Sequence, residues 1–300
     1  MNLRLLRRPR PSVPSLDGRL CLVTGAASGI GRATALAAGR RGARLVITDV
    51  NADLLDDVAS ELGDALVAQR AFDIADVDAV RAFADDVHAA HGPVDVVMNV
   101  AGIATWGPVE RLTHEQWRRT VDIDLMGPIH VIECFVPEMI RAGRGGQIAN
   151  VSSAAGLLGL PWHAPYSAAK FGLRGVSEVL RFDLERHNIG VTLVCPGGVD
   201  TPITQAVDIA GLERGELSNS PAAERFRKHA KSPEYAAECI LDGIVRNRYL
   251  VHTSGDIRAL HLLQRVFPRG YEAAMRVGNR RFVSVLERLG GSGRAQQRAR

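Results

Sequence analysis

A doubly wound parallel α/β sheet is the architecture that this 300-residue sequence predicts. Three observations carry that prediction. From Arg19 to about residue 252, short β-rich apolar runs alternate with stretches of helical period. The first run ends in a glycine turn that opens directly into a helical pattern. The second, Arg44–Val50 (RLVITDV), is continuous rather than alternating, as a strand buried on both faces should be.

The elements follow in order. Leu20–Thr24 is a strand, and Ile30, Ala33, Leu36 and Ala37 mark a helix over 29–41. After the strand Arg44–Val50 come a helix at about 51–62, a strand at 65–71, a helix near 76–91 and the strand Val94–Asn99. One long helical stretch runs from about 113 to 142. The strand Gln147–Val151, a helix at about 165–187 and the strand Val191–Cys195 complete the main alternation. Residues 233–252 add a helix and a last strand, Tyr249–His252. Such alternation implies right-handed crossovers with helices on both faces and a ligand beyond the carboxyl ends of the strands. The expected division is a basic, disordered segment at 1–16, one catalytic domain at 17–253 and a helical extension at 254–300.

Composition narrows the class. Apolar residues make up 46% and charged residues 23%, which excludes a wholly disordered chain. No apolar run reaches the ~18–20 residues of a spanning helix, so an integral membrane protein is not expected. Arg4, Arg7, Arg8 and Arg10 are followed by no apolar stretch, so no secretory signal is read there. Cys21, Cys134, Cys195 and Cys239 stand far apart, which argues against a zinc site or disulfide framework and fits a reducing cytosol. The pI of about 9.1 belongs to the ends. Residues 1–19 hold five arginines against one acid and residues 256–300 ten against three, so the body between them is acidic. Nucleic acid is therefore not an expected partner.

The turn Thr24-Gly25-Ala26-Ala27-Ser28-Gly29-Ile30-Gly31 is the first chemical signal. Glycines let a backbone approach a pyrophosphate, and the helix that follows favours its negative charge. A plain tight turn is the competing reading, and the strand–turn–helix context argues for a nucleotide. Asp49 ends the second strand and can accept hydrogen bonds from an adenosine ribose while repelling a 2′-phosphate. Only Val50-Asn51 follow, with no cation, which favours NAD over NADP. Asp49 is equally compatible with a role at the start of the next helix.

The second signal is Tyr166-Ser167-Ala168-Ala169-Lys170. Four residues apart on a helix, the two side chains share a face, and an ammonium near a phenol favours phenolate. With four Tyr and three Lys in the chain, composition alone predicts about 0.04 such pairs. Ser153, thirteen residues earlier at the end of a strand, can reach the same substrate oxygen as Tyr166.

From about 17 to 200 the sequence resembles the short-chain dehydrogenase/reductases. The resemblance rests on TGAASGIG (24–31), Asp49, Asp73, NVAG (99–102), Ser153, YSAAK (166–170) and PGGVDT (196–201), all in order. It implies a Rossmann-like fold, no metal, and hydride transfer between nicotinamide and a carbonyl or alcohol carbon. Tyr166 becomes the general acid/base, Ser153 the group holding the substrate oxygen, and Lys170 the residue that grips the nicotinamide ribose and lowers the Tyr166 pKa. The implied cofactor contacts are Gly25, Ala27, Ser28, Gly29, Ile30 and Gly31 in the turn, then Asp49, Asp73 and Ile74. Asn99, Ala101 and Gly102 follow, with Pro196, Gly197, Val199 and Thr201 beside Tyr166 and Lys170 at the carboxamide end. A homodimer or homotetramer through the helices at 113–142 and 165–187 is implied as well.

Two departures from the family stand out. Val100 replaces the second Asn of N-N-A-G, a mild change. Asp124 stands where an Asn normally closes a proton relay to the lysine. It remains the candidate relay residue through its carbonyl. An ionised side chain there would hold the Lys170 charge while partly cancelling its pull on Tyr166.

Substrate identity is not written in the sequence. Trp106, Leu157, Leu158, Leu160, Trp162 and His163 fall beside the implied substrate and suit a hydrophobic alcohol or ketone, although Leu157 and Leu158 are read as packing under the loop. His163 is read as a solvated loop residue, with substrate contact as the alternative. Residues 202–232 take the position of a lid. The tail from Ser254 interleaves apolar residues with arginine. Two helices packed on the chain's own domain are expected there, with an anionic membrane surface as the alternative partner. The function expected is an NAD(H)-dependent oxidoreductase, cytoplasmic or peripheral at a membrane. The alternatives are an NADP(H)-dependent 3-oxoacyl thioester reductase and, from other classes, a non-catalytic nucleotide-binding scaffold or a membrane-surface protein.

Overall fold

The computed structural model describes residues 12–202, 207–210, 224 and 228–280. Its sheet strands are β1 (Leu20–Thr24), β2 (Arg44–Asp49), β3 (Leu66–Ala71), β4 (Val96–Asn99), β6 (Gly146–Val151), β7 (Ile189–Cys195) and β9 (Leu250–His252). They form one seven-stranded sheet in the order β3-β2-β1-β4-β6-β7-β9, every pair parallel. The order reverses between β1 and β4, and that switch leaves a crevice beyond their carboxyl ends. Two further short strands, β5 (Thr105–Trp106) and β8 (Asp208–Ile209), pair with each other outside the main sheet.

Alternate residues of β1 feed two separate cores. Cys21 and Val23 join α1 (Gly29–Arg40), α2 (Ala52–Leu62) and α7 (Pro233–Val245) on one face. Leu20 and Leu22 join α3 (Val77–His91), α5 (Gly127–Ala142) and the end of α6 (Ala164–Asp183) on the other. Local chemistry sets the helix starts. Asn51 Oδ1 accepts the Leu54 N–H at 3.1 Å, Asp76 accepts the N–H groups of Asp78 and Ala79, and Ser232 accepts that of Tyr235. Thr113 and Gln116 close a reciprocal capping box on α4 (His114–Val121).

Three expectations shift. The helix expected over 113–142 is α4, a π-helical turn at Asp122–Met126, and α5. Pro128, early in α5, has no N–H to give the carbonyl of Asp124 four residues back, and the wider turn absorbs that loss. The helix expected to reach 187 ends at Asp183 and continues as a 3₁₀ turn, Glu185–His187, closed by Asn188 at φ 54°. Residues 12–16 are also not a loose leader. Val13 and Leu16 are buried in the core with α1, and Ser12 Oγ donates to the Gly146 carbonyl at 2.6 Å. Two apolar residues set among Arg and Pro were enough to bring the chain onto the body. Residues 1–11 and 281–300, and 203–206, 211–223 and 225–227 of the expected lid, lie outside the described residues.

The extension begins as α8 (Gly255–Val266) and continues as a helix over 268–280. Ile257, Leu260 and Tyr271 pack with Leu157, Leu158, Leu193 and Cys195. The first helical turns of the extension therefore rest on this chain's own domain, and Leu157 and Leu158 pack beneath them.

Leu16→Ala should lower unfolding free energy by about 2–5 kcal/mol, the usual range for a buried leucine truncation, in a denaturant titration. A loss under about 0.5 kcal/mol would mean that residues 12–16 add nothing to the core.

Candidate active site

The crevice at the switch point is a cleft of about 390 Å³. Its glycine turn is shaped by sterics at two positions. A Cβ on Gly31 would sit 1.9 Å from the Gly25 carbonyl oxygen, and one on Gly25, whose φ is 68°, would sit 2.6 Å from Ala101 Cα. Strand β1, the turn and the segment after β4 can pack this closely only through glycine. Thr24 Oγ1 accepts the N–H groups of Val100 and Ala101 at 3.1 and 3.2 Å, fixing the second wall to the first.

Asp49 lies on the cleft and also steadies the residue that caps α2. The cap on α2 is the side chain of Asn51, while Asp49 Oδ2 accepts the Ala27 N–H and Oδ1 the Asn51 N–H, each at 3.0 Å. Its carboxylate is partly exposed and lines the cleft with Val50 and Leu54. Both neighbours are apolar and exposed.

Most of the expected contacts lie on this one cleft. Ala27, Ser28, Gly29, Ile30, Asp73, Ile74, Ala101, Gly102, Pro196, Gly197, Val199 and Thr201 line it together with Gly25, Gly31 and Asp49. Ser153, Tyr166 and Lys170 close its far end. Asn99 does not reach it. On β4 it lies opposite Asn150 of β6, its Nδ2 donates to Asn150 Oδ1 at 2.9 Å, and Asn150 in turn donates to Ser177. The residue is 2% exposed and serves as a buried polar tie between strands and helix. Arg119 is a lining residue that sequence reasoning missed; it pairs with Asp73 Oδ2 at 3.1 Å. Phe72 and Ile123 were missed as well. Nothing in their local sequence marks them, because the crossovers bring them to the cleft.

At the far end, Lys170 is 3% exposed on the second turn of α6. Its Nζ donates to the Val151 carbonyl at 3.2 Å, pairs with Asp124 Oδ2 at 3.4 Å and stands 5.6 Å from the centre of the Tyr166 ring. Asp124 is fully buried in the π turn, and its Oδ1 accepts the Ile103 N–H at 2.7 Å. It does not itself line the cleft: Lys170 and Gly102 lie between. Burial works against the Lys170 charge, but Asp124 and then Tyr166 outweigh it and hold the ammonium above its ordinary range. Burial also pushes the Asp124 carboxyl up, against the pull of Lys170.

The Tyr166 phenol is raised by burial first. Lys170 pulls it down, Asp124 pushes it back up, and a hydrogen bond with Ser153 lowers it again. Ser153 Oγ also accepts the Ala155 N–H at 3.1 Å, which fixes the hydroxyl at the start of a 3₁₀ turn. His163 is not a solvated loop residue. It is buried, its ring centre 4.5 Å from that of Trp106 and 6.4 Å from that of Tyr166. Its Nδ1 meets the Pro161 carbonyl at 2.7 Å, so that nitrogen carries the proton, and burial keeps the ring neutral. The strand pair β5–β8 holds Trp106 and Ile209 beside Tyr166, with Ala104 and Val207 packed against them.

Residues 19–210 match the family model described as short chain dehydrogenase. SadH of Mycobacterium tuberculosis, named as an oxidoreductase, is 35% identical over 273 residues, covering 89% of this chain and 98% of that protein. The 3-oxoacyl-acyl-carrier-protein reductase FabG of Thermotoga maritima is 35% identical over 228 residues, 75% of this chain and 90% of its own. Among solved structures, a short chain dehydrogenase/reductase of Burkholderia phymatum in complex with NAD superposes with a TM-score of 0.74 at 28% identity. That match covers 84% of this chain and 94% of the other. With its parallel sheet, glycine turn and Ser153–Tyr166–Lys170 cluster, the chain belongs to the short-chain dehydrogenase/reductase family of oxidoreductases.

Proposed function

We propose that this chain interconverts a secondary alcohol and its ketone with NAD(H), and that Tyr166 moves the proton. The observation that carries the reading is the buried Lys170 ammonium beside Tyr166, at the end of a cleft that begins on the glycine turn. The cleft's size and its peptide-lined floor fit a dinucleotide. Gly25–Gly31 would hold its pyrophosphate, Asp49 its adenosine ribose, and Lys170 the other ribose, since Val151 and Asp124 engage only two of the three ammonium donors. When bound, nicotinamide supplies or accepts the hydride.

The protein's own part is proton chemistry and orientation. In oxidation, Tyr166 as phenolate takes the hydroxyl proton; in reduction, the phenol returns it to the developing alkoxide. Ser153 donates to the same oxygen and orients it. Lys170 stabilises the phenolate, and Asp124 keeps Lys170 protonated despite its burial while weakening its effect on Tyr166. Pro128 leaves the Asp124 carbonyl without its usual helical donor, which supports a second role for that carbonyl as a relay acceptor for Lys170. Trp106, His163 and Ile209 beside Tyr166 support a substrate that is largely apolar.

NAD preference rests on Asp49 and its neutral neighbours Val50 and Leu54, none of which would welcome a 2′-phosphate. The likeness to FabG favours a second reading, an NADP(H)-dependent reductase of 3-oxoacyl thioesters. Asp49 weighs against it. Self-association through α5 and α6 belongs to the proposal, supported by Phe171, Val179 and Phe182 exposed along α6. A cytosolic site of action is supported by four cysteines that stand unpaired.

Fluorescence titration with NADH and NADPH should give tighter NADH binding, with the gap narrowed by about tenfold or more in Asp49→Ala as the repulsion of a 2′-phosphate is lost. A preference for NADPH would move the thioester reductase into first place, and binding of neither would indicate a non-catalytic scaffold. Tyr166→Phe should lower turnover by about 10²–10⁴-fold while leaving NADH affinity within a few-fold of wild type. Turnover undiminished in Tyr166→Phe would remove Tyr166 from the proton transfer.

A further inference from the structure

The outward side of the extension is unlike the rest of the surface. Five of the twelve exposed large apolar side chains among the described residues fall between 262 and 277. Leu262 (62% exposed), Leu263 (38%) and Val266 (73%) lie on the side of α8 opposite Ile257, Leu260 and His261, which face the body. Phe267, 57% exposed, continues the strip where α8 ends. The helix is amphipathic on both accounts: one apolar side is spent on the domain and a second is left uncovered.

Arginines border that strip on α8 and stand exposed on the helix that follows. Arg258 and Arg265, seven residues apart, run along its edge on α8. On the helix over 268–280, Arg269, Arg276 and Arg280 share one exposed side, away from Tyr271. Only two acids lie between 255 and 280, Asp256 at the start of α8 and Glu272, which pairs with Arg276 at 3.3 Å. The two helices are held in place from below: the Tyr271 hydroxyl donates to the Gly159 carbonyl at 3.2 Å, and Gly197 leaves room for Ser254 and Ile257 against the turn after β7.

We propose that α8 and the helix over 268–280 form a docking surface for an anionic lipid bilayer. Leu262, Val266 and Phe267 enter the headgroup boundary, and Arg258, Arg265, Arg269, Arg276 and Arg280 meet the lipid phosphates. The pairing of chemistries is what selects this partner. A guanidinium offers a planar fork to phosphate oxygens while its aliphatic stem stays in apolar surroundings. Binding in a membrane interface needs an apolar face bordered by positive charge, and α8 offers both. A second copy of the chain is the poorer occupant. A two-fold contact sets each patch against itself, and would bring these arginine rows together with few acids to offset them. Docking also has a structural link to the active site, because these helices pack on Leu157 and Leu158, just beyond Ser153.

The test is flotation of the full-length protein with vesicles of phosphatidylcholine alone or mixed with phosphatidylglycerol, at low and high salt. Two multiple variants at exposed positions accompany it, Leu262→Glu with Val266→Glu, and Arg269→Gln with Arg276→Gln and Arg280→Gln. Circular dichroism and thermal unfolding check that each remains folded, and light scattering gives its oligomeric state. Wild type should float with the anionic vesicles only and be released by salt, and each variant should lose at least about tenfold in vesicle affinity. Three results would overturn the proposal. These are no flotation of wild type at low salt, equal flotation of wild type and both variants, or a smaller oligomer in Leu262→Glu with Val266→Glu, which would make this face a contact between copies.

Discussion

A lysine ammonium and an aspartate carboxylate, both nearly withdrawn from water, meet at 3.4 Å behind Tyr166, and the active end of this protein is organised around them. Taking two charges into a protein interior costs several kcal/mol for each ion, so such a pair leans on further hydrogen bonds. Asp124 accepts one from the Ile103 N–H, and Lys170 donates one to the Val151 carbonyl. These bonds tie together the segment after β4, the end of β6, the π turn and α6. Each carries part of the cleft wall, so the electrostatic unit that tunes Tyr166 also fixes where the wall stands.

The chemistry follows from where charge is placed along the cleft. One end has peptide groups, a helix N-terminus and a carboxylate, Asp49, whose two oxygens already accept N–H groups from the turn and from α2. The other end has a single ammonium that two neighbours hold but do not saturate. The fold brings these features onto one cleft at the switch point, where the crossovers diverge to opposite faces. The rings and apolar side chains nearest Tyr166 come from elements outside the main sheet, the β5–β8 pair and His163 at the end of the segment 157–163.

Much of this was legible in the residues. The continuous run Arg44–Val50 announced a strand buried on both faces, and all seven expected strands lie in one parallel sheet. The glycine turn was legible because Gly25 and Gly31 have a steric reason that no other residue meets. The spacing of Tyr166 and Lys170 was legible because one helix turn sets it. What escaped was whatever depends on a neighbour brought in by topology. Asn99 carries a family motif, yet its side chain turns to Asn150 because the facing strand offers a partner there. Arg119 reaches Asp73 from a helix 46 residues away in sequence. Val13 and Leu16 were hidden by the arginines and prolines around them, and His163 by the habit of reading a loop histidine as solvated. The π turn escaped too, since helical periodicity runs through it almost unbroken.

The central claim is that Asp124 and Lys170 act as one unit on the ionisation of Tyr166. The direct measurement is a pH titration of tyrosinate absorbance in wild type, Tyr166→Phe and Asp124→Asn, with the Tyr166 component taken by difference. Removing the carboxylate lifts its own push on Tyr166 and also the support it gives the Lys170 charge, so the Tyr166 component should titrate at a different pH in Asp124→Asn than in wild type, lower where the ammonium survives and higher where it is lost. The same midpoint in both would contradict the account.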